Sequence, residues 1–209
     1  MYTIVIPHLS SSKYIDQCNY YLEKNSKIDH EVLRIVDETD VYYAYNYGVY
    51  HAKYDNVILM NDDMIVSEGW DIPFMKYAEP DVILTGHVIE PDPGILVSGK
   101  EGEEVYTQNI KLDCGDSIDK FDYNKFVDYV ATRDDLPEII PNHSGWYMPT
   151  YVNKKTFVSY PNIKKFPIEA NDVVWRDAIL PYLGFKFGLV KSFFYHFQYS
   201  SWKKNLTFK

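Results

Sequence analysis

The sequence predicts an α/β protein with a doubly wound, mostly parallel β-sheet and an irregular second half. Short apolar or β-branched runs alternate with helical segments over the first half of the chain, a pattern typical of strand–helix–strand units. One run is apolar throughout, as expected of a strand that is covered on both faces. Polar residues follow three predicted strands directly, and ligands of such sheets bind beyond the carboxyl ends of the strands.

The chain opens with a predicted strand and helix. Residues 3–6 form a short β-branched run, which Pro7 is expected to end. The three serines at 10–12 then offer hydroxyl caps for a helix over residues 14–22. This order predicts a buried first strand, followed directly by Pro7 and His8.

A second strand and helix lead into the third strand. Residues 31–36 predict a strand that ends at Asp37, and a tyrosine-rich helix is expected over residues 41–53. The apolar run at 56–60 ends abruptly in Asn-Asp-Asp at positions 61–63. The polar residues after all three strands are therefore expected at one edge of the sheet.

The second half has weaker signals of regular structure. Residues 82–85 predict another strand, whereas residues 90–122 are rich in glycine, proline and acids and are expected to be loops or short hairpins. A strand and a turn are expected within 145–157, and a helix is expected to begin at position 171 or 172. Residues 185–196 predict a final strand.

Composition excludes several classes of protein. The 209 residues are 46% hydrophobic, so disorder is not expected to dominate. A formal net charge of -9 argues against non-specific binding to nucleic acid or anionic lipid. Cys18 and Cys114 lack the spacing of zinc ligands and predict two reduced core thiols. Without a signal peptide or an apolar run of about 20 residues, the chain is expected to be cytoplasmic and not inserted in a membrane.

The adjacent carboxylates of Asp62 and Asp63 form a candidate metal clasp. Oxygen ligands of this kind bind Mg²⁺ or Mn²⁺ when the ion also holds the phosphates of a substrate. An isolated Asp-Asp pair is, however, also common in polar turns that only end a strand. The motifs around the pair decide between these two interpretations.

The chain contains five short motifs in order, namely Val5-Ile6-Pro7, Val36-Asp37, Asn46-Tyr47-Gly48, Leu59-Met60-Asn61-Asp62-Asp63 and Gly69-Trp70. They resemble those of GT-A glycosyltransferases, in particular inverting enzymes of the family 2 kind. The family has a strand leading to a proline, a strand ending in Val-Asp, an Asn-x-Gly helix, an apolar strand closing in a DxD-type motif, and Gly-Trp.

The resemblance covers most of the chain. It implies a single GT-A domain over residues 1–209, with a nucleotide-sugar-binding half at 1–88 and an acceptor-binding, catalytic half at 89–209. The short, aromatic-rich chain is also similar to small glycosyltransferase domains encoded by large algal viruses such as chloroviruses. For such a protein the expected location is the cytoplasm of the host.

The resemblance also implies roles for residues of the first half. Asp63, the last residue of the DxD-type motif, would bind the metal that bridges the donor diphosphate, and Asp62 would reach the ribose or the metal. Asn61 replaces the first Asp of the motif, which leaves one less charge near the ion. Asp37 would accept hydrogen bonds from the base or ribose. His8 would line the same pocket, although it is equally well explained as a solvated loop histidine. The remaining donor-binding residues are Pro7 and Asn46.

The catalytic residues are expected in the second half. Asp172 matches the Asp of the family's Glu-Asp motif and would be the general base, because inverting transfer needs a carboxylate to take the acceptor proton. Asn171 replaces the Glu, so Glu169 is a rival base, and Asp172 also suits a helix N-cap. His196 would complete the metal site or be a buried core histidine. Trp146 would stack on a sugar or belong to the core.

These inferences predict a metal-dependent, inverting hexosyltransferase. The expected donor is a UDP-sugar, UDP-glucose by default, the acceptor is a hydroxyl of a glycan or glycoprotein, and the cofactor is Mn²⁺ or Mg²⁺. A sugar-nucleotide nucleotidyltransferase would need a glycine-rich, basic loop after its first strand, which residues 6–12 lack. A non-catalytic nucleotide- or carbohydrate-binding domain of the same fold remains an alternative, because Asn61 and Asn171 are replacements that a loss of activity would produce.

Overall fold

The computed structural model describes residues 1–91, 109–143, 148–158 and 180–197. Within these residues nine strands join one sheet. The strands are β1 (Tyr2–His8), β2 (His30–Val36), β3 (Asn56–Leu59), β4 (Met64–Val66), β5 (Val82–Glu90), β6 (Asn109–Lys111), β7 (Ile139–Pro141), β8 (Thr150–Asn153) and β9 (Lys186–His196).

Six α-helices and two 3₁₀ turns connect the strands in the described residues. The helices are α1 (Ile15–Asn25), α2 (Val41–His51), α3 (Asp71–Lys76), α4 (Tyr123–Ala131), α5 (Lys154–Val158) and α6 (Leu180–Tyr182). The 3₁₀ turns cover Ile118–Lys120 and Arg133–Asp135. None of these helices has the length and apolar character needed to cross a membrane.

The sheet has the order β2-β1-β3-β8-β5-β9-β4, with β6 paired to β5 and β7 to β9. Strand β1 is parallel to both β2 and β3, and β5 is parallel to β9 and β6. Strand β8 joins the two parallel groups and is antiparallel to both β3 and β5. The short β4 is antiparallel to β9 at the opposite edge from β2. The predicted α/β class with a mostly parallel sheet is confirmed.

Apolar residues cover both faces of the sheet. Along β1, Ile4 and Ile6 belong to one buried cluster, whereas Val5 belongs to a second cluster with Tyr45 and Val49 of α2. Successive side chains of a strand alternate between faces, so β1 contributes to two separate hydrophobic layers. This two-sided burial explains why β1 and β3 are largely apolar.

Pro7 does not end the first strand, contrary to the prediction. Strand β1 pairs with β2 through His8, but its ladder with β3 stops at Val5. The amide nitrogen of Met60 donates to Val5, and that of Asp37 donates to His8, so Val5 faces β3 and His8 faces β2. Backbone groups alternate in direction along a strand, which places the amide-less Pro7 on the β3 side beyond the last pair.

The three serines do not cap α1, which corrects a second prediction. The N-cap residue is Tyr14, and no side chain caps the helix. Ser12 accepts a hydrogen bond from the amide of Tyr14, and its own hydroxyl donates to Asp62. The expected cap residue therefore links α1 to the polar end of β3.

Gly48 allows α2 to pack directly on β1. A β-carbon at this position would clash with Cγ1 of Val5. We therefore expect Gly48→Ala to destabilise the protein by about 1–3 kcal/mol, the usual cost of overpacking a core. The midpoint of thermal unfolding should fall by roughly 2–10 °C for a chain of this size.

Tyr50→Ala is the control for this variant, because Tyr50 lies on the same helix and is 62% exposed. It should melt close to the wild type. Equal melting temperatures for Gly48→Ala and Tyr50→Ala would contradict the close approach of α2 to β1.

Candidate functional site

The loop after β1 is joined to the end of β2. The amide of Asp37 donates to the carbonyl of His8 at 2.9 Å, and the amide of Ser10 donates to the Asp37 carboxylate at 2.6 Å. Asp37 has a φ of 59°, a left-handed conformation that aspartate tolerates better than most residues. Hydrogen bonds from Ser10 hold the pKa of Asp37 below its usual value, so this exposed carboxylate is an acceptor at neutral pH.

Asp62 and Asn61, at the end of β3, are each held by a hydroxyl group. Ser12 donates to Oδ2 of Asp62, and Tyr45 donates to Oδ1 of Asn61 at 2.7 Å. Burial raises the pKa of Asp62, the Ser12 hydroxyl lowers it, and the neighbouring Asp63 raises it, with a net increase. Because the amide oxygen of Asn61 already accepts from Tyr45, Asn61 offers a ligand the hydrogen-bond donors of its NH₂ group.

Asp63 lies against His196 because β4 pairs with β9. Met64 is the register partner of His196, and the amide of Phe197 donates to the carbonyl of Asp63 at 3.1 Å. The Nε2 atom of His196 lies 3.3 Å from Oδ1 of Asp63. Two residues separated by 133 positions in the sequence are thus adjacent at the edge of the sheet.

Glu90, the last residue of β5, contacts the other side of the His196 ring. Its Oε1 atom lies 2.6 Å from Nδ1 of His196. Glu90 and Asp63 are 4% and 5% exposed, so both carboxylates are removed from water. The histidine therefore lies between two buried carboxylates, one at each ring nitrogen.

The two carboxylates control the charge of His196. Burial lowers the pKa of this imidazole, but Asp63 and Glu90 together outweigh burial and raise the pKa to about 10. This increase favours the protonated ring, in which each nitrogen donates to a carboxylate. A role for Nε2 as a metal ligand requires the loss of its proton.

Asp63 and His196 fit a divalent cation that is shared with a substrate. No group of three or more His, Cys, Asp or Glu side chains forms a metal-binding cluster within the described part of the chain. The pair nevertheless supplies a carboxylate oxygen and an imidazole nitrogen 3.3 Å apart, a donor set that suits Mn²⁺. Ions bound by so few protein ligands take the others from phosphate groups and water.

The fold of this chain is similar to that of a solved structure, described as GalNAc-T7 with UDP, GalNAc and Mn²⁺. The match covers 93% of this chain, with a TM-score of 0.57 and 10% sequence identity. The chain has the GT-A fold. This chain spans 43% of the length of the matched chain. No family model and no curated protein matches the sequence.

The GT-A sheet brings six of the predicted site residues to the carboxyl ends of β1, β2 and β3. These are Pro7, His8, Asp37, Asn61, Asp62 and Asp63. Asn46 is half-buried on α2. His8 is half-buried; its Nδ1 lies 3.0 Å from the carbonyl of Leu9, and its buried Nε2 has no hydrogen-bond partner among the described residues.

Three predicted site residues of the second half lie outside the described residues. They are Trp146, Glu169 and Asp172. Their roles remain predictions, and so does the helix expected to begin at position 171 or 172.

Sequence reasoning missed three residues that hold the site, namely Glu90, Ser12 and Tyr45. The predicted fourth strand stopped at position 85, whereas β5 continues to Glu90. Val88 and Ile89, followed by an acid, repeat the pattern of an apolar strand with a polar residue after it. That signal would have placed Glu90 at the carboxyl end of a strand.

Proposed function

We propose that this chain is a metal-dependent, inverting glycosyltransferase that moves a hexose from a UDP-sugar to an acceptor hydroxyl. The observation that carries the proposal is the contact between Asp63 and His196 at the carboxyl ends of the strands of a GT-A sheet. The matched structure contains UDP, GalNAc and Mn²⁺, which supports a UDP-linked donor and Mn²⁺ here. UDP-glucose is the default donor, and the acceptor is a glycan or glycoprotein.

The residues at the carboxyl ends of the strands would each contact a different part of the donor. Asp63 and His196 would hold the cation, with Asp62 close to them. Asp37 would accept hydrogen bonds from the base or ribose, and the NH₂ group of Asn61 would donate to ribose or phosphate oxygens. The cation, when bound, supplies Lewis-acid stabilisation of the charge on the departing diphosphate.

Proton removal from the acceptor is assigned to Asp172, with Glu169 as the rival base. The base takes the hydroxyl proton as the acceptor oxygen bonds to the anomeric carbon. The bond from that carbon to the diphosphate breaks on the opposite face, which inverts the configuration. Trp146 would place the sugar by stacking on its C–H face.

Thermal unfolding with a panel of UDP-, GDP- and dTDP-sugars tests this proposal, because a ligand that binds only the native state raises the melting temperature. Each sugar is measured once with Mn²⁺ and once with a chelator. We expect one UDP-sugar with Mn²⁺ to raise the midpoint by roughly 5–10 °C at a concentration near 100 times its Kd. The chelator should remove the shift.

The panel can also contradict the proposal. An equal shift in the presence of chelator would show that donor binding does not require the metal. No shift with any donor would leave a non-catalytic domain of the same fold as the better account. A shift with Mn²⁺ is followed by product analysis, since transfer to an acceptor or hydrolysis of the donor demonstrates turnover.

A further inference from the structure

Glu90 is a buried carboxylate whose position is fixed by its neighbours. It is 4% exposed at the end of β5, a strand whose nine residues are all buried. Its Oε2 accepts a hydrogen bond from Nδ2 of Asn109 at 3.3 Å, and its carbonyl accepts one from the amide of Leu112 at 2.9 Å. Strand β6 and the residue that follows it therefore hold the side chain and the backbone of Glu90 in place.

The remaining oxygen of Glu90 determines how His196 is oriented. Oε1 lies 2.6 Å from Nδ1 of His196, and Nε2 at the opposite side of the ring lies 3.3 Å from Asp63. A histidine that binds a metal through Nε2 commonly donates its Nδ1–H to a carboxylate, which fixes both the tautomer and the ring plane. Glu90 and Nδ1 of His196 have this arrangement in the structure.

We propose that Glu90 is a positioning residue, which holds the His196 ring through Nδ1 so that Nε2 faces the cation beside Asp63. This inference rests on the proposed function, because it concerns the same cation. Glu90 contacts Nδ1, on the side of the ring away from Asp63, so it acts through His196. Its role is therefore distinct from that of Asp63.

The test measures binding of Mn²⁺ to the full chain, with and without UDP, by the electron paramagnetic resonance signal of free Mn²⁺. Glu90→Ala removes the acceptor for Nδ1–H and should weaken Mn²⁺ binding by roughly 10- to 100-fold. Glu90→Gln keeps an acceptor oxygen in nearly the same volume, so its affinity should stay within a few-fold of the wild type.

Thr85→Val is the matched control on the same strand. Thr85 is 1% exposed, and its hydroxyl has no hydrogen-bond partner among the described residues. It lies five residues before Glu90, about 16 Å away along an extended strand. This variant alters a buried polar position of β5 without touching His196, and it should bind Mn²⁺ as the wild type does.

The outcomes separate this inference from the proposed function. Wild-type affinity in Glu90→Ala would overturn the positioning role and leave the metal site standing. Equal losses of Mn²⁺ affinity in Glu90→Ala and Glu90→Gln would overturn it, because they would show that the negative charge of Glu90, and not its hydrogen bond to Nδ1, supports binding. If the wild type binds no Mn²⁺ in either arm, the proposed metal site fails, and the role of Glu90 fails with it.

Discussion

Replacing Asp63 with asparagine should abolish the stabilisation of the protein by Mn²⁺ and a UDP-sugar. The carboxylate is 5% exposed and lies 3.3 Å from Nε2 of His196, so little water is available to replace a lost anionic ligand. An amide is a weaker ligand for a hard cation than a carboxylate. The loss of Mn²⁺ affinity should exceed the roughly 10- to 100-fold effect of residues that only orient a ligand.

Asp55→Asn is the matched control for the Asp63 variant. Asp55 precedes the amino end of β3, whereas Asp63 follows its carboxyl end, and the exposed Asp55 pairs with Lys155 on the surface. The same change of charge at this position should leave donor binding unaltered, since exposed ion pairs contribute little. Circular dichroism in chelator establishes that both variants are folded. Retention of the Mn²⁺-dependent shift in Asp63→Asn would refute the assignment of Asp63 as a metal ligand.

Asp172→Asn should lower kcat by about 10²- to 10⁴-fold, the usual contribution of a general base. Asparagine can still cap a helix, so the structural role that Asp172 could also have is retained. The donor is bound by other residues, and its Mn²⁺-dependent thermal shift should therefore equal that of the wild type. Steady-state transfer of a labelled sugar, together with thermal unfolding, provides both measurements.

Glu169→Gln distinguishes the two candidate bases. The variant loses a carboxylate three positions before Asp172, and its kcat should stay near that of the wild type. The reverse result, with a large loss in Glu169→Gln and a small one in Asp172→Asn, would make Glu169 the base. Full activity in both variants would show that neither carboxylate takes the proton.

The parts of the fold that follow local rules could be predicted from the sequence. Strands β1, β2, β3 and β9 are rich in apolar or β-branched residues, and α2 begins where Asp40 accepts hydrogen bonds from two amides of its first turn. Polar residues directly after three strands indicated the edge of the sheet that carries Asp37 and Asp62. Periodicity and turn chemistry are encoded within a few residues, so a single sequence contains them.

The parts that depend on distant partners could not be predicted in this way. Strand β4 has three residues, and its pairing with β9 makes it a strand rather than a loop. The direction of β8, antiparallel to both of its neighbours, is likewise set by tertiary contacts. His196 was placed in the site through the resemblance alone, and its contact with Glu90 requires strands that are far apart in the sequence.

The position of β9 in the middle of its half of the sheet has a consequence for how the protein folds. Strand β9 is last in the sequence among the described elements, yet it lies between β5 and β4. The side of β5 and the side of β4 that pair with β9 therefore stay unpaired until residues 186–196 have left the ribosome. Contacts of such long range slow folding and expose strand edges to other chains. We therefore expect a nascent chain that stops before β9 to be an aggregation-prone intermediate, which also lacks His196 of the proposed cation site.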